Sequence, residues 1–291
     1  MKKFCVSTIL FFVGLQIFCQ STNSDYYTKY QKLLSSGDYE ALELHVSNWE
    51  KDGPQSAEMY IANFNYYLNR NISSINAMGR MPDGRYGLFP QTVFNKEDFI
   101  VATRYLEKGI QLYPDRMDMI MGLRYVYFVN KNFDLMADLV LKIINRSKVN
   151  HQAWCSLFNE SVPAYTEYGY EYFENFLLES LTMLNGWFDV AGVEYGRIAK
   201  ESLAVYPESL VILNMASNYY IQTEDYNKGL ELLLRAHKMD SKDEIIIFNI
   251  ARTYELMGNT AKAIEYYGIV AKSANPDYAS AATESIRKVR E

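Results

Sequence analysis

The sequence predicts an all-α chain built from repeated helical hairpins, and three observations carry that expectation. Residues 210–243 (LVILNMASNYYIQTEDYNKGLELLLRAHKMDSKD) and 244–277 (EIIIFNIARTYELMGNTAKAIEYYGIVAKSANPD) are each 34 long and align without a gap. Within each, apolar residues recur at helical spacing on both sides of a short polar turn, QTED in one and MGNT in the other. Only 7 prolines and 15 glycines punctuate 291 residues, which suits long helices better than many short strands.

Residues 1–19 read as a signal peptide. Lys2 and Lys3 give a positive start, residues 5–19 (CVSTILFFVGLQIFC) form an apolar run too short for a comfortable membrane span, and polar QSTNSD follows. Cleavage after Cys19 would leave Gln20 first. The alternative is lipidation of Cys19, which wants a small residue just before the cysteine where this chain has Phe18. The mature chain, residues 20–291, is expected to form a single helical domain. Its one cysteine, Cys155, allows no internal disulfide, so packing must supply the stability. Cys155 follows Trp154 in an apolar stretch and reads as a buried small hydrophobe.

Along the mature chain, Pro54, Pro114 and Pro207 share one phase, each where a proline ends one hairpin and marks the crossing to the next. In SSGDYEALELHVSNWEKDGP, Tyr39 falls at the start of a second helix and Pro54 at its close. A first helix is expected over about 56–70 and its partner over about 97–113. Between them the period breaks: Pro54 and Pro114 lie 60 residues apart (114 − 54), one 34-residue repeat plus 26. The surplus, residues 71–96, holds five glycines and prolines and cannot be helix throughout; Pro82-Asp83-Gly84 is a turn signal for a small hairpin tip. A further hairpin is expected over 117–150. A second irregular region, 151–189, reads as a loop leading into a lengthened helix over about 170–184. Regular repeats then fill 210–277, and a cap helix over about 278–290 solvates the end. Insertions of this length in a compact domain are usually functional.

In the aligned pair, Tyr220 falls on Tyr254, Gly229 on Ala263, Leu233 on Tyr267 and Ala236 on Val270. The pattern resembles the tetratricopeptide repeat family, whose consensus has small residues at its eighth and twentieth positions and tyrosine at its eleventh. Ser217, Gly229 and Tyr220 match these in one unit, and Ala251, Ala263 and Tyr254 in the next. Small residues there let the two helices of a unit nest closely. Ala102, Leu106, Gly109 and Pro114 match a second helix and its closing proline, and Tyr127 and Phe133 keep the register in 117–150. Arg124 departs at the small eighth position, Ser241 replaces the usual closing proline, and Pro276 sits one place late. The resemblance covers roughly residues 25–290. It implies a right-handed superhelical solenoid in which the first helix of each unit lines a concave groove.

Composition excludes several functions. A net charge of -6, from 29 Lys+Arg against 35 Asp+Glu, argues against a non-specific nucleic-acid binder. His45, His151 and His237 each stand without a ligand-spaced neighbour, so no metal is expected. MGRMPDGRYG lacks the spacing and preceding strand of a phosphate loop, and no cofactor is expected. No Ser, Cys or Thr has a base in register, and Glu231 and Glu265 read as a solvated face. The chain is expected not to be an enzyme.

By the resemblance, the groove positions of three units are Asp118, Met121, Tyr125, Phe128 and Val129; Val211, Asn214, Asn218, Ile221 and Gln222; and Ile245, Phe248, Arg252, Glu255 and Leu256. The helix from Ala57 adds Asn65, Leu68 and Asn69. Asparagine carries both donors and an acceptor, so a row of them can hold a peptide backbone whatever its side chains. Asn218 and Asn249 also match two positions of the family's carboxylate clamp. The clamp's cations are missing, with Asn214 where a lysine belongs and Ala279 and Thr283 on the following helix. Residues 71–96 leave the end of a groove-lining helix, which makes Arg80, Arg85, Tyr86 and Phe89 candidate contacts that set specificity. The expected function is an interaction scaffold of a Gram-negative envelope, periplasmic or envelope-associated, that binds a peptide or helix of a partner protein. Two alternatives stand. The 25 tyrosines and the stretch AYTEYGYEYF suit a carbohydrate-binding helical protein of an outer-membrane nutrient system. An outer-membrane assembly factor would require a lipid on Cys19. No nucleic acid is expected as a partner, and after signal cleavage no integral membrane segment remains.

Overall fold

The structure, a computed structural model, describes residues 24–80, 86–149, Trp154 and 169–291. Residues 1–19, expected to be a signal peptide, and also Arg85, His151 and Cys155, lie outside the described residues.

Thirteen helices and one strand pair follow in chain order among the described residues: α1 (Ser24–Ser36), α2 (Tyr39–Asp52), α3 (Ala57–Asn69), β1 (Ser73–Arg80), β2 (Tyr86–Val93), α4 (Lys96–Leu112), α5 (Met117–Val129), α6 (Phe133–Ser147), α7 (Gly169–Asn185), α8 (Phe188–Val205), α9 (Leu210–Gln222), α10 (Tyr226–Met239), α11 (Glu244–Leu256), α12 (Thr260–Val270) and α13 (Pro276–Arg290). Contacts group them into two compact units, residues 1–139 with 146–170, and 140–145 with 171–291. Both are stacks of tetratricopeptide-type helical hairpins. Pro54, Pro114 and Pro207 each follow the last residue of α2, α4 or α8 by two places, where the expected phase puts them.

The repeat is most regular in its turns. Lys131, Glu224 and Gly258 sit at the middle of the three-residue turns after α5, α9 and α11, and all have positive φ, at 59°, 63° and 73°. In each turn the next N–H reaches back to the carbonyl of the eleventh-position tyrosine: Asn132 to Tyr127, Asp225 to Tyr220, Asn259 to Tyr254, all at 2.8 Å. This is the Schellman arrangement that satisfies the end of a helix. Asp225 and Asn259 also start the next helix, their side chains accepting from the N–H of Lys228 and Lys262 at 3.1 Å. One three-residue turn thus closes one helix and opens its partner.

Close approach explains the small positions. A Cβ on Gly229 would lie 2.7 Å from Ile221 Cγ1, which must then shift, and one on Gly109 would press on Tyr60 Cβ at 3.0 Å, so small residues let these helices meet closely. In the first unit Leu42, Trp49, Tyr60, Leu106, Met117 and Ile120 are fully buried. In the second, Ile247, Ala251, Ala263, Tyr267, Val270 and Ala282 form the core under the last helices.

The surplus over 71–96 is more regular than the irregular insertion expected from the sequence. β1 and β2 pair antiparallel from Ser73↔Val93 to Arg80↔Tyr86, with Asn76 opposite Pro90 and Ala77 opposite Phe89. Glycines and prolines exclude a helix here and also mask the strand signal, since Ile75, Thr92 and Val93 are the only β-branched residues of the two strands. Pro82-Asp83-Gly84 falls between the strands, outside the described residues. The roots of the ribbon are tied together. Arg70, just after α3, donates to Asp98 in the first turn of α4 through Nε at 2.8 Å and again through Nη2. Asn71 Nδ2 donates to the other Asp98 oxygen at 2.6 Å, and the Arg70 guanidinium lies 4.7 Å over the Tyr67 ring. Of the second irregular region, residues 151–168 apart from Trp154 lie outside the described residues; its lengthened helix is α7.

Candidate functional site: an asparagine-lined cleft in the C-terminal unit

In α9, Ile212, Leu213, Ala216 and Ser217 are buried. The helical period then puts Asn214 and Asn218, one turn apart, on an adjoining and less buried stripe. In α11 the buried stripe of Ile246, Ile247, Ile250, Ala251 and Thr253 leaves Asn249 and Arg252 on the corresponding side. The end of α7 adds Thr182 and Asn185. These residues enclose a cleft of about 250 Å³ lined by Thr182, Asn185, Asn214, Met215, Ser217, Asn218, Ile221, Asn249 and Arg252.

The carboxamides pair across the helices. Asn249 Nδ2 donates to Asn214 Oδ1 at 2.8 Å, and Asn218 Nδ2 donates to Asn185 Oδ1 at 2.8 Å. Gln222 Nε2 donates to the same Asn185 oxygen at 2.6 Å. Asn218 Nδ2 also approaches the Tyr195 hydroxyl at 3.4 Å, while that hydroxyl donates to the Met215 carbonyl at 2.8 Å. Burial pushes the Tyr195 phenol well above the usual tyrosine range, so it stays a neutral anchor. Counting donors and acceptors among the described residues leaves the amino groups of Asn185 and Asn214 and the Oδ1 atoms of Asn218 and Asn249 uncommitted. Arg252 is exposed and forms no salt bridge among the described residues. The cleft thus presents two amide donors, two amide acceptors and one cation.

The structure brings Asn214, Asn218 and Arg252 together, along with Asn249. Ile221 lines the same cleft, and Gln222 supports Asn185 from beside it. Phe248 instead packs edge-on against Tyr267, with ring centroids 5.1 Å apart, and Glu255 accepts from the Tyr267 hydroxyl at 2.7 Å. Val211 is half-buried, and Ile245 and Leu256 are exposed, none of them lining the cleft.

The first unit gathers no comparable set among the described residues. Asn65 Nδ2 donates to the Tyr30 hydroxyl at 3.0 Å, and Asn69 Nδ2 to the Asn65 carbonyl at 2.7 Å. Asp118 is taken by Arg116 at 2.7 Å, and Phe128 packs on Phe133 with centroids 6.1 Å apart. Leu68, Met121 and Val129 are half-buried, while Tyr125 stands 57% exposed. Arg80 and Tyr86 are the last register pair of the ribbon, and Phe89 lies on β2.

Sequence reasoning misses Thr182 and Asn185. Residues 151–189 read as irregular, yet α7 runs unbroken to Asn185, with only Gly186 and Trp187 before α8, and that last residue meets Asn218. Among the described residues no three His, Cys, Asp or Glu side chains gather as a metal ion would need, and no helix is long and apolar enough to cross a membrane.

No family model matches the chain, and no curated protein matches it. Among solved structures it is similar to YrrB, described as a TPR protein with an unusual peptide-binding site, at 12% identity over 63% of this chain and 82% of that one, with a TM-score of 0.41. It is similar to a TPR protein of Thermus thermophilus, at 14% identity over 65% and 91% of the two chains, TM-score 0.37. Pseudomonas aeruginosa PilF is similar at 9% identity over 93% and 99%, TM-score 0.39. What makes this chain tetratricopeptide-like is its own geometry, the 34-residue hairpin with its repeated turn.

Proposed function

We propose that this chain is an interaction scaffold of the bacterial envelope, and that its C-terminal unit holds an extended peptide segment of a partner protein in the asparagine-lined cleft. The observation that carries this reading is the half-satisfied state of the four carboxamides. Each peptide group offers one N–H and one C=O, and the cleft offers uncommitted partners for both. Arg252 adds a preference for a carboxylate on the segment. No aromatic ring lines the cleft, so sugar stacking has no support there.

The test is a pull-down from envelope extract, comparing the wild-type chain with Asn218→Ala/Arg252→Ala. Loss of a neutral and a charged hydrogen bond weakens binding by about 2–4 kcal/mol, roughly 30-fold or more. A partner kept by the wild type and lost by the variant supports the reading. A partner kept by both places binding elsewhere. The absence of any protein partner, with a hit on a glycan array, would favour the carbohydrate alternative. N-terminal sequencing of the exported chain should begin at Gln20. A fatty-acid label at Cys19 would favour the assembly-factor alternative instead.

A further inference from the structure

β1 and β2 form a sheet of only two strands, so each keeps one edge with no neighbour among the described residues. An isolated ribbon of this kind is marginal in water, and proteins usually blunt such edges with charge or proline. Here one edge is blunted and the other is not. Pro90 on β2 stands opposite Asn76. Proline has no N–H, so it suits an antiparallel ladder at a pair whose amides point outward. The alternation then sets the amides of Ser74, Asn76 and Met78 on the outer edge of β1, and those of Leu88 and Thr92 on the outer edge of β2, with a gap at Pro90. Residues 71–79, NISSINAMG, hold neither charge nor proline. Ile72 and Ile75 beside that edge are 45% and 51% exposed. The ribbon is also anchored, because Arg70, Asn71 and Asp98 lock its two roots together.

We propose that the outer edge of β1 is a self-association surface, through which two copies of the chain pair β1 to β1, antiparallel, about a two-fold axis. Charge-free apart from Arg80 at its end, the strand meets an antiparallel copy without like charges opposed along residues 73–79, whereas the same lack of charge gives it little means of selecting a foreign strand. The union also closes. The edges left outside are two copies of β2, each blunted by Pro90, so a third chain finds no complete ladder.

Sedimentation equilibrium and hydrogen exchange on the purified chain test this together. The wild type should show twice the chain mass and dissociate on dilution. In the dimer the amides of Ser74, Asn76 and Met78 should exchange slowly, and should speed up on dilution; those of Leu88 and Thr92 should be fast throughout. Asn76→Pro removes one outward amide and leaves the β1–β2 ladder intact, and should raise the dimer dissociation constant about tenfold or more. Asn76→Lys, which brings two like charges near the axis, should do the same while circular dichroism stays helical. A monomeric wild type, a dimer whose β1 amides exchange freely, or assembly beyond two chains would overturn the proposal. So would unaltered pairing in both folded variants.

Discussion

Arg116 and Glu58 are charged side chains inside the first unit, only 4% and 2% exposed and 2.7 Å apart. Arg116 also grips Asp118 with Nε and Nη2, at 3.0 and 2.7 Å. Arg116→Met would strand the Glu58 carboxylate, and urea unfolding should show a loss of about 3–5 kcal/mol. Arg116→Met/Glu58→Leu should recover part of that loss, since the buried Glu58 charge is gone and only Asp118, at the edge of the cluster, keeps a charge that has lost its partner. Asp98 makes a second residue-scale prediction. The Arg70 guanidinium, helped by the Asn71 amide, holds its carboxyl below the ordinary value of 3.8 despite burial. A folded value lower than the unfolded one stabilises above the unfolded value and is lost as pH falls through the folded value. Wild type should therefore lose stability on acidification below about pH 4, and Asp98→Asn should flatten that part of the curve. Neither cluster is legible in the sequence, because partners 58 and 28 residues apart share no periodic signal. Asn214, Asn218 and Arg252 are legible because they follow the repeat phase, whereas Asn185 lies in a stretch that reads as irregular.

At the scale of the element, the turn shared by α5, α9 and α11 is the repeat's most constant feature, and it is not equally easy for every residue. Gly258 accepts φ of 73° freely, but Glu224 holds 63° with a side chain in the way. Glu224→Gly should stabilise the chain by roughly 0.5–1 kcal/mol, read as a higher urea midpoint at constant slope. The ribbon β1–β2 obeys a different logic. Its roots touch, so deleting residues 74–92 should leave α3 and α4 paired, with helical circular dichroism unchanged and pairing of two chains lost. A deletion that unfolds the first unit would show the ribbon to be structural instead. Helix limits are legible because caps, closing prolines and apolar spacing agree along the chain. The ribbon is not, since its breakers exclude a helix without specifying a strand.

For the whole molecule, the tyrosines decide behaviour in base. Burial pushes the Tyr30 phenol up to about 12. Burial also raises Tyr105, Tyr127 and Tyr267, whose hydroxyls donate to Glu50, Glu107 and Glu255, and those carboxylates raise them further. A folded value above the ordinary 10.0 gives a contribution that is complete below pH 10 and disappears as pH rises through the folded value. The chain should hold its helices to about pH 10 and then unfold on the way to 12 and beyond. Phenolate absorbance and far-ultraviolet circular dichroism should change together in that step. The fold itself is legible at this scale, because a 34-residue period repeated without a gap leaves little choice of architecture.

The cleft of the C-terminal unit has a practical consequence for the medium in which it can work. Of its nine lining residues only Arg252 ionises. Carboxamides neither gain nor lose protons between strong acid and strong base, and dissolved ions barely screen their dipoles. Affinity should therefore change little with ionic strength or acidity, by no more than the one guanidinium contact contributes. A binder so constructed would keep its grip in surroundings that the cell does not buffer.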